Sequence, residues 1–305
     1  MDFKEFGFLI LSHFIAIYYW LEAIFRFFVP RARKDVRGDI VLVTGAGSGI
    51  GQRLCIEFGK LGCEVVGWDI SEVGLERTKK IMADENLESH FFCYKCDLSD
   101  RHQVYDSARK VKSDVGDVTI LINNAGIVTG KKIMDCHDEL MIKTMEINAI
   151  SHFWTIKAFL PSMLEKDCGH IVTVASGAGL FGVPGQVDYA ASKFAAVGLT
   201  DALNMELVHM KKNGVKTTTV CPYYIDTGMF DGVDTSILPI IKLDAAVELI
   251  VDAILREKVY LLMPRLLYFI YGLRGLLPAK SMLIMGKATG VLRSMDSFVG
   301  RNKSK

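Results

Sequence analysis

From Asp39 onward the apolar residues fall into two alternating rhythms. Short β-branched runs predict strands at Ile40–Val43, Glu64–Trp68, about 90–95, Thr119–Ile122, Ile171–Ala175 and Thr217–Cys221. Longer amphipathic stretches predict helices over 49–61, about 71–84, 101–114, within 135–166 and over 187–212, the first stopped by Gly62. Strands separated by helices imply βαβ units and a doubly wound parallel sheet. Ligands of such sheets bind in the crevice beyond the carboxyl ends of the strands, where the strand order reverses.

The two ends of the chain do not share this rhythm. Phe6–Leu21 carries no formal charge, and the apolar character runs on to Val29, 24 residues in all. That length is enough for a helix to cross a bilayer core of roughly 30 Å, or to lie in one leaflet. Glu22 and Arg26, at i, i+4 spacing, pair on one helix face. The n-region (Asp2, Lys4, Glu5) has no net positive charge and no small-residue cleavage site follows, so a cleaved signal peptide is a poor fit. Arg31, Arg33, Lys34 and Arg37 follow, which by the positive-inside rule keeps the remainder of the chain cytosolic. A second apolar stretch, Val259–Gly286, is punctuated by Arg265, Arg274 and Lys280. It reads as helices lying at an interface, as a subdomain covering a substrate pocket, or as both. The expected organisation is therefore an anchor and basic linker over 1–38, a catalytic domain over 39–258 and an apolar helical region over 259–305.

Composition narrows the options. Half of the 305 residues are hydrophobic and the mean hydropathy is +0.26, which excludes a disordered chain. Lys+Arg 36 against Asp+Glu 35 leaves a net charge of +1, which argues against nucleic acid as a partner. The seven cysteines are an odd, scattered set and read as reduced core thiols. Cys93 and Cys96 form a C-x-x-C with no second pair or histidine cluster, so no metal site is expected. Asn302-Lys303-Ser304 matches a glycosylation sequon, a chance match if that end is cytosolic.

The first strand runs into Thr44-Gly45-Ala46-Gly47-Ser48-Gly49-Ile50-Gly51, a glycine-rich turn between a strand and a helix. Gly45 allows the tight turn, Gly49 lets the backbone approach a pyrophosphate, and Gly51 permits close helix–strand packing. The pyrophosphate of a dinucleotide then rests on the amides of the helix N-terminus. Asp69 ends the second strand, 24 residues after Gly45, where a carboxylate accepts from ribose hydroxyls and repels a 2′-phosphate. Its neighbours Trp68 and Ile70 are not basic, so the expected coenzyme is NAD. Asp97, after the third strand, is placed to bond an adenine amino group.

With Asn123-Asn124-Ala125-Gly126 after the fourth strand, Ser176, and Tyr189-Ala190-Ala191-Ser192-Lys193 13 residues beyond that serine, the chain resembles the short-chain dehydrogenase/reductase family over about 39–230. The resemblance implies a single Rossmann domain and a catalytic set of Asn148, Ser176, Tyr189 and Lys193. It implies coenzyme contacts from Gly45, Ser48, Gly49, Ile50, Gly51, Asp69, Asp97, Asn124, Tyr189, Lys193 and Thr227. In this chemistry Tyr189 takes the alcohol proton, helped by the Lys193 ammonium one helical turn away and by the nicotinamide charge, which bring a phenol pKa of about 10 toward the working range. Ser176 bonds the substrate oxygen. Asn148, in Glu146-Ile147-Asn148-Ala149, is similar to the asparagine that supports a proton-relay water. The family's Pro-Gly-x-x-x-Thr is here Pro222-Tyr223-Tyr224-Ile225-Asp226-Thr227, so a tyrosine stands where a glycine is expected.

Within the family, Ile122–Lys132, Thr227-Gly228-Met229-Phe230 and Leu262–Tyr268 resemble the membrane-bound epidermal retinol dehydrogenase group and the related lipid-droplet 17β-hydroxysteroid dehydrogenases. This implies a lipophilic alcohol, retinol foremost, with a 17β-hydroxysteroid or other long-chain alcohol as the alternative. It also implies the surface of the endoplasmic reticulum or a lipid droplet, and self-association into homo-oligomers. A droplet coat protein with a vestigial site is the reading of another class. The joint presence of the four catalytic residues argues against it.

Overall fold

The computed structural model describes residues 3–87, 90–235 and 238–301. Asp2 and the sequon at 302–304 lie outside the described residues. The chain divides into two compact units, 1–35 and 36–305.

The first unit is the helix α1 (Phe3–Phe28) and the residues after it. Arg26 Nε lies 3.4 Å from Glu22 Oε1, as the i, i+4 spacing predicts, and Arg31 approaches the same oxygen at 3.5 Å. Phe14, Trp20 and Phe28 are each more than 60% exposed. Among the described residues no helix is long and apolar enough to cross a membrane.

The second unit is built on a seven-stranded parallel sheet: β1 (Ile40–Thr44), β2 (Glu64–Asp69), β3 (Phe91–Lys95), β4 (Ile120–Asn123), β5 (Gly169–Val174), β6 (Val215–Pro222) and β7 (Tyr260–Met263). The strand order is β3-β2-β1-β4-β5-β6-β7. The first three strands go outward one way and the rest the other, so the reversal falls between β1 and β4. There Val41, Leu42 and Val43 stand in register with Ile120, Leu121 and Ile122.

Both faces of the sheet are covered. Val41 and Val43 point into a core with Leu54 and Phe58 of α2 (Gly49–Lys60), Met82 of α3 (Glu72–Asp84) and Ile250 of α8 (Leu243–Leu255). Leu42, between them, points into the opposite core. It joins Val104 of α4 (Arg101–Asp114), Ile156 of α6 (Ser151–Lys166) and Leu203 of α7 (Val187–His209). Period-2 alternation feeding two cores is why β1 is apolar at four successive positions, Ile40 to Val43, rather than polar at every second one.

Two stretches differ in detail from the sequence reading. The region 135–166 is helical from Asp138 to Lys166, as expected, but changes winding midway. It is a short turn, then α5 (Asp138–Met145), a wide π-type turn over Glu146–Ile150, then α6. The apolar run expected to be helical from Val259 begins instead as the edge strand β7, paired with β6 from Thr219↔Tyr260 to Pro222↔Met263. Helices α9 (Leu266–Arg274) and α10 (Ala279–Ala288) follow it.

Candidate active site

The reversal between β1 and β4 opens a cleft of about 1070 Å³. Its floor at one end is the glycine turn. Gly45 has φ +71°, a left-handed conformation that favours glycine. A Cβ on Gly51 would fall 2.1 Å from the Gly45 carbonyl oxygen, so no side chain fits where α2 starts under the turn. Ser48 precedes α2 in extended geometry and its side chain makes no bond to the helix. Ile50 lines the cleft beside it. The turn is stapled to β4: Thr44 Oγ1 accepts from the Asn124 and Ala125 N–H groups at 2.9 and 3.1 Å, and Asn124 Nδ2 donates to the Thr44 carbonyl at 2.8 Å.

Asp69 sits at the tip of β2. Oδ2 accepts from the Gly47 N–H and Oδ1 from the Ser71 N–H, both at 2.8 Å. One carboxylate thus fixes the glycine turn and the start of α3, and each oxygen keeps a further lone pair. Asp97 also lines the cleft. Although burial works in the opposite direction, bonds from the Ser99 hydroxyl and N–H, together with Lys143, hold its carboxyl below the usual carboxylate range. Arg77, on α3, lines the same end. The sequence reading weighs the neighbours of Asp69 and Ser48 of the turn, and passes over this cation.

At the other side of the reversal stand the residues expected to be catalytic. Ser176 follows β5 and its Oγ accepts from the Ala178 N–H at 3.1 Å. Tyr189 and Lys193 project from one face of α7 and both are buried. Lys193 Nζ lies 5.7 Å from the centre of the Tyr189 ring and donates to the Val174 carbonyl at 2.9 Å. Burial pushes the Tyr189 phenol up to about 12, with the Ser176 hydroxyl pulling it partly back. Burial brings Lys193 down to about 8. In the protein alone desolvation dominates; the expectation of an acidified phenol counts the nicotinamide charge together with Lys193.

Asn148 lies in the wide turn and is fully buried. Its Oδ1 accepts from the Ile127 N–H at 2.8 Å, and Nδ2 donates to the Ile127 carbonyl at 2.9 Å and to Ser192 Oγ at 3.0 Å. Ser192 in turn donates to the Tyr189 carbonyl at 2.7 Å. Its neighbour Ile147 lines the cleft. The carboxamide therefore ties the strand β4 exit to the Tyr189 turn of α7. The extra residue of a π-type turn, a feature frequent at functional sites, is what aims it there.

Beyond Tyr189 the cleft becomes apolar. Tyr223, Tyr224 and Phe230 form an aromatic chain, with ring centres 4.7 and 5.0 Å apart, and Phe230 lies edge-on to Tyr189 at 5.8 Å. Tyr223 does not have a positive φ, so the backbone there tolerates a side chain in place of glycine. Its N–H donates to Met263 of β7 at 2.8 Å. Leu267 and Ile270 of α9 and Met282 of α10 complete the wall. Thr227 lies where this wall meets the glycine turn.

A glycine turn with no room for a Cβ at Gly47 or Gly51, a helix N-terminus at its edge and a carboxylate at the tip of β2 fit a dinucleotide. The fold and cleft thus define a Rossmann-type oxidoreductase with a serine, a tyrosine and a lysine gathered at the switch point. A profile described as short chain dehydrogenase matches residues 39–237. The chain is 51% identical over 286 residues to epidermal retinol dehydrogenase 2 of Homo sapiens, covering 93% of this chain and 92% of that protein. It is 38% identical over 318 residues to retinol dehydrogenase 10 of Homo sapiens, covering 95% and 93%. A short chain dehydrogenase/reductase from Burkholderia phymatum in complex with NAD superposes with a TM-score of 0.72 at 24% identity, covering 83% of this chain and 96% of that one. Actinorhodin polyketide ketoreductase with NADPH gives 0.59 at 34% identity, covering 62% and 72%. The protein belongs to the short-chain dehydrogenase/reductase family, and it is an alcohol-oxidising dehydrogenase.

Proposed function

We propose that this enzyme oxidises a long lipophilic alcohol, all-trans-retinol in the first instance, to its aldehyde with NAD. The observation that carries the reading is the change of character along one cleft. It is polar and glycine-walled up to Tyr189 and aromatic and aliphatic beyond it, and the curated relatives named as retinol dehydrogenases share nearly the whole chain.

Tyr189 is the base that takes the hydroxyl proton, and Ser176 holds the same oxygen as charge develops on it. Lys193, kept beside the ring by the Val174 carbonyl, stabilises the phenolate. Asn148 positions Ile127 and Ser192 around that turn of α7. The nicotinamide coenzyme, when bound, supplies the hydride acceptor and the positive charge that favours a deprotonated phenol. Gly45, Ser48, Gly49, Ile50 and Gly51 receive its diphosphate, Asp69 and Asp97 the adenosine end, and Asn124 and Thr227 the nicotinamide end. The Asp69 carboxylate favours NAD over NADP despite Arg77 on the same side of the cleft. Residues 1–38 attach the enzyme to the surface of the endoplasmic reticulum or a lipid droplet through the exposed apolar side chains of α1. The basic residues that follow keep the catalytic domain cytosolic, and the apolar region from 259 onward adjoins the lipid.

Reduction of NAD and of NADP by all-trans-retinol in detergent, followed by fluorescence, tests this. The wild type turns over faster with NAD, and Tyr189→Phe is slower by about 10²–10⁴-fold. Equal rates for variant and wild type, or turnover of a 17β-hydroxysteroid but not retinol, would refute it.

A further inference from the structure

The cleft takes part of its rim from a segment far from the glycine turn in sequence. Residues 291–301 return from α10 across the loop after β6. The Asp234 N–H donates to the Ser294 carbonyl at 3.0 Å, and the N–H groups of Val299 and Gly300 donate to the Asp231 carbonyl at 2.9 and 3.1 Å. The Ser297 hydroxyl donates to the Gly232 carbonyl at 2.7 Å. Side chains secure the same course. The buried Gln186 amide donates to the Tyr224 hydroxyl at 3.2 Å and meets Met295 Sδ at 2.9 Å, and the Phe298 ring sits 6.4 Å from Phe230.

This strap delivers Arg301 to the glycine turn. Its Nη1 donates to Ser48 Oγ at 2.9 Å and its Nη2 to the Thr227 carbonyl at 3.3 Å. Four cationic side chains line the cleft among the described residues: Arg77, Lys193, Arg274 and Arg301. Lys193 is held beside Tyr189 by the Val174 carbonyl. Arg274 is drawn to the Leu180 carbonyl and lies over the rings of Phe181 and Phe194. Arg77 belongs to α3. Of the four, Arg301 is the one at the residue that opens α2.

We infer that Arg301 binds the diphosphate of the coenzyme, together with the amides at the start of α2. This rests on the coenzyme reading above and adds to it a residue outside the glycine turn. A diphosphate carries two negative charges, and the partial charge of a helix N-terminus offsets only part of them. A guanidinium presents five N–H donors in a planar fork suited to phosphate oxygens. The two acceptors it now holds, a hydroxyl and a carbonyl, are neutral and weaker than phosphate oxygens. Because the strap also carries Met295 and Phe298 to the aromatic wall, a diphosphate on Arg301 fixes one edge of the substrate end as well.

The test is calorimetric titration of the full-length enzyme in detergent with NAD, ADP-ribose and adenosine, for the wild type, Arg301→Ala and Arg301→Lys. The side chain is exposed, so thermal midpoints are expected to match. Arg301→Ala weakens NAD and ADP-ribose about tenfold and leaves adenosine, which has no diphosphate, unchanged. Arg301→Lys falls between, and added salt weakens the wild type more than Arg301→Ala. Equal constants for wild type and Arg301→Ala with ADP-ribose, or tighter binding by the variant, would overturn the role of Arg301 alone. Failure of the wild type to bind NAD or ADP-ribose would overturn it together with the coenzyme reading.

Discussion

The two halves of the cleft are made by different means. The half under β1–β3 is shaped by backbone: a glycine turn with no room for a Cβ at Gly47 or Gly51, amides at the start of α2, and a carboxylate whose oxygens are tied to Gly47 and Ser71. The half under β5–β7 is shaped by side chains: Tyr223, Tyr224 and Phe230 packed edge-to-face in a row, with Leu267 and Met282 lining the same part of the cleft. The first is a rigid mould for one charged ligand. The second is an apolar surface that different side chains can fill without altering the chemistry at Tyr189. The contrast shows how a shared coenzyme end is compatible with a variable substrate end, and it makes the two halves unequal in their response to substitution.

The sharpest way to break the comparison is to add a single methyl group to the backbone half. In Gly51→Ala the new Cβ meets the Gly45 carbonyl oxygen at 2.1 Å, and because that neighbour is backbone the turn or α2 has to shift. Coenzyme affinity falls by about five- to 150-fold, with a lower unfolding midpoint, because relieving such an overlap costs on the order of 1–3 kcal/mol and displaces the amides. Titration with NADH fluorescence reads the effect. Affinity within twofold of wild type would show that the turn is not the mould described.

The same contrast governs what could be read from sequence. The glycine turn, Asp69, Ser176 and the Tyr189–Lys193 pair are short-range patterns, because a turn, a strand end and one helical turn are each defined within a few residues. Strands β1 to β6 stood out as β-branched runs with helices between them. Strand β7 did not, since Tyr260–Met263 merges into the apolar residues of α9 with no change of period to mark the join. The wide turn at Glu146–Ile150 lies inside a helical pattern and leaves no composition signal. Arg77 and Arg301 were missed for a third reason. Each is an ordinary surface cation in sequence, and only the packing of α3 and the strap over 231–234 brings it to the cleft.

Between the halves lies a seam of buried polar groups, and here the prediction concerns pH. His152 is fully enclosed on α6, and its Nδ1 has no hydrogen-bond partner. Burial, reinforced by the charge of Lys193, brings it from 6.5 down to about 3. The unfolded chain therefore binds a proton below about 6.5 that the native protein refuses until about 3. More protons on the unfolded state means that stability falls as pH drops through this window. Going from pH 6.5 to 4.5 removes about 2–3 kcal/mol through this one group. Asp97, whose carboxyl is held low, loses stability in acid as well, so the measurement is a difference. Urea midpoints at the two pH values are compared for wild type and His152→Gln, and the variant shows the smaller drop. Equal drops would remove His152 from the account.

The side-chain half gives the smallest effect and the finest test. Tyr223 is half-buried in the aromatic chain, with its ring against Tyr224 and its N–H on Met263. Tyr223→Ala keeps the N–H and the strand pairing and removes only the ring. An aromatic pair of this kind contributes about 0.5–1.5 kcal/mol beyond its buried area, so KM for retinol rises by about three- to tenfold. The affinity for NADH stays where it was, since the ring lies beyond Tyr189 from the glycine turn. A shorter alcohol, reaching less far along the aromatic wall, loses less than retinol does. If Tyr223→Ala instead weakened NADH and retinol together, the two halves would be one coupled surface, and the division into a moulded end and a packed end would fail.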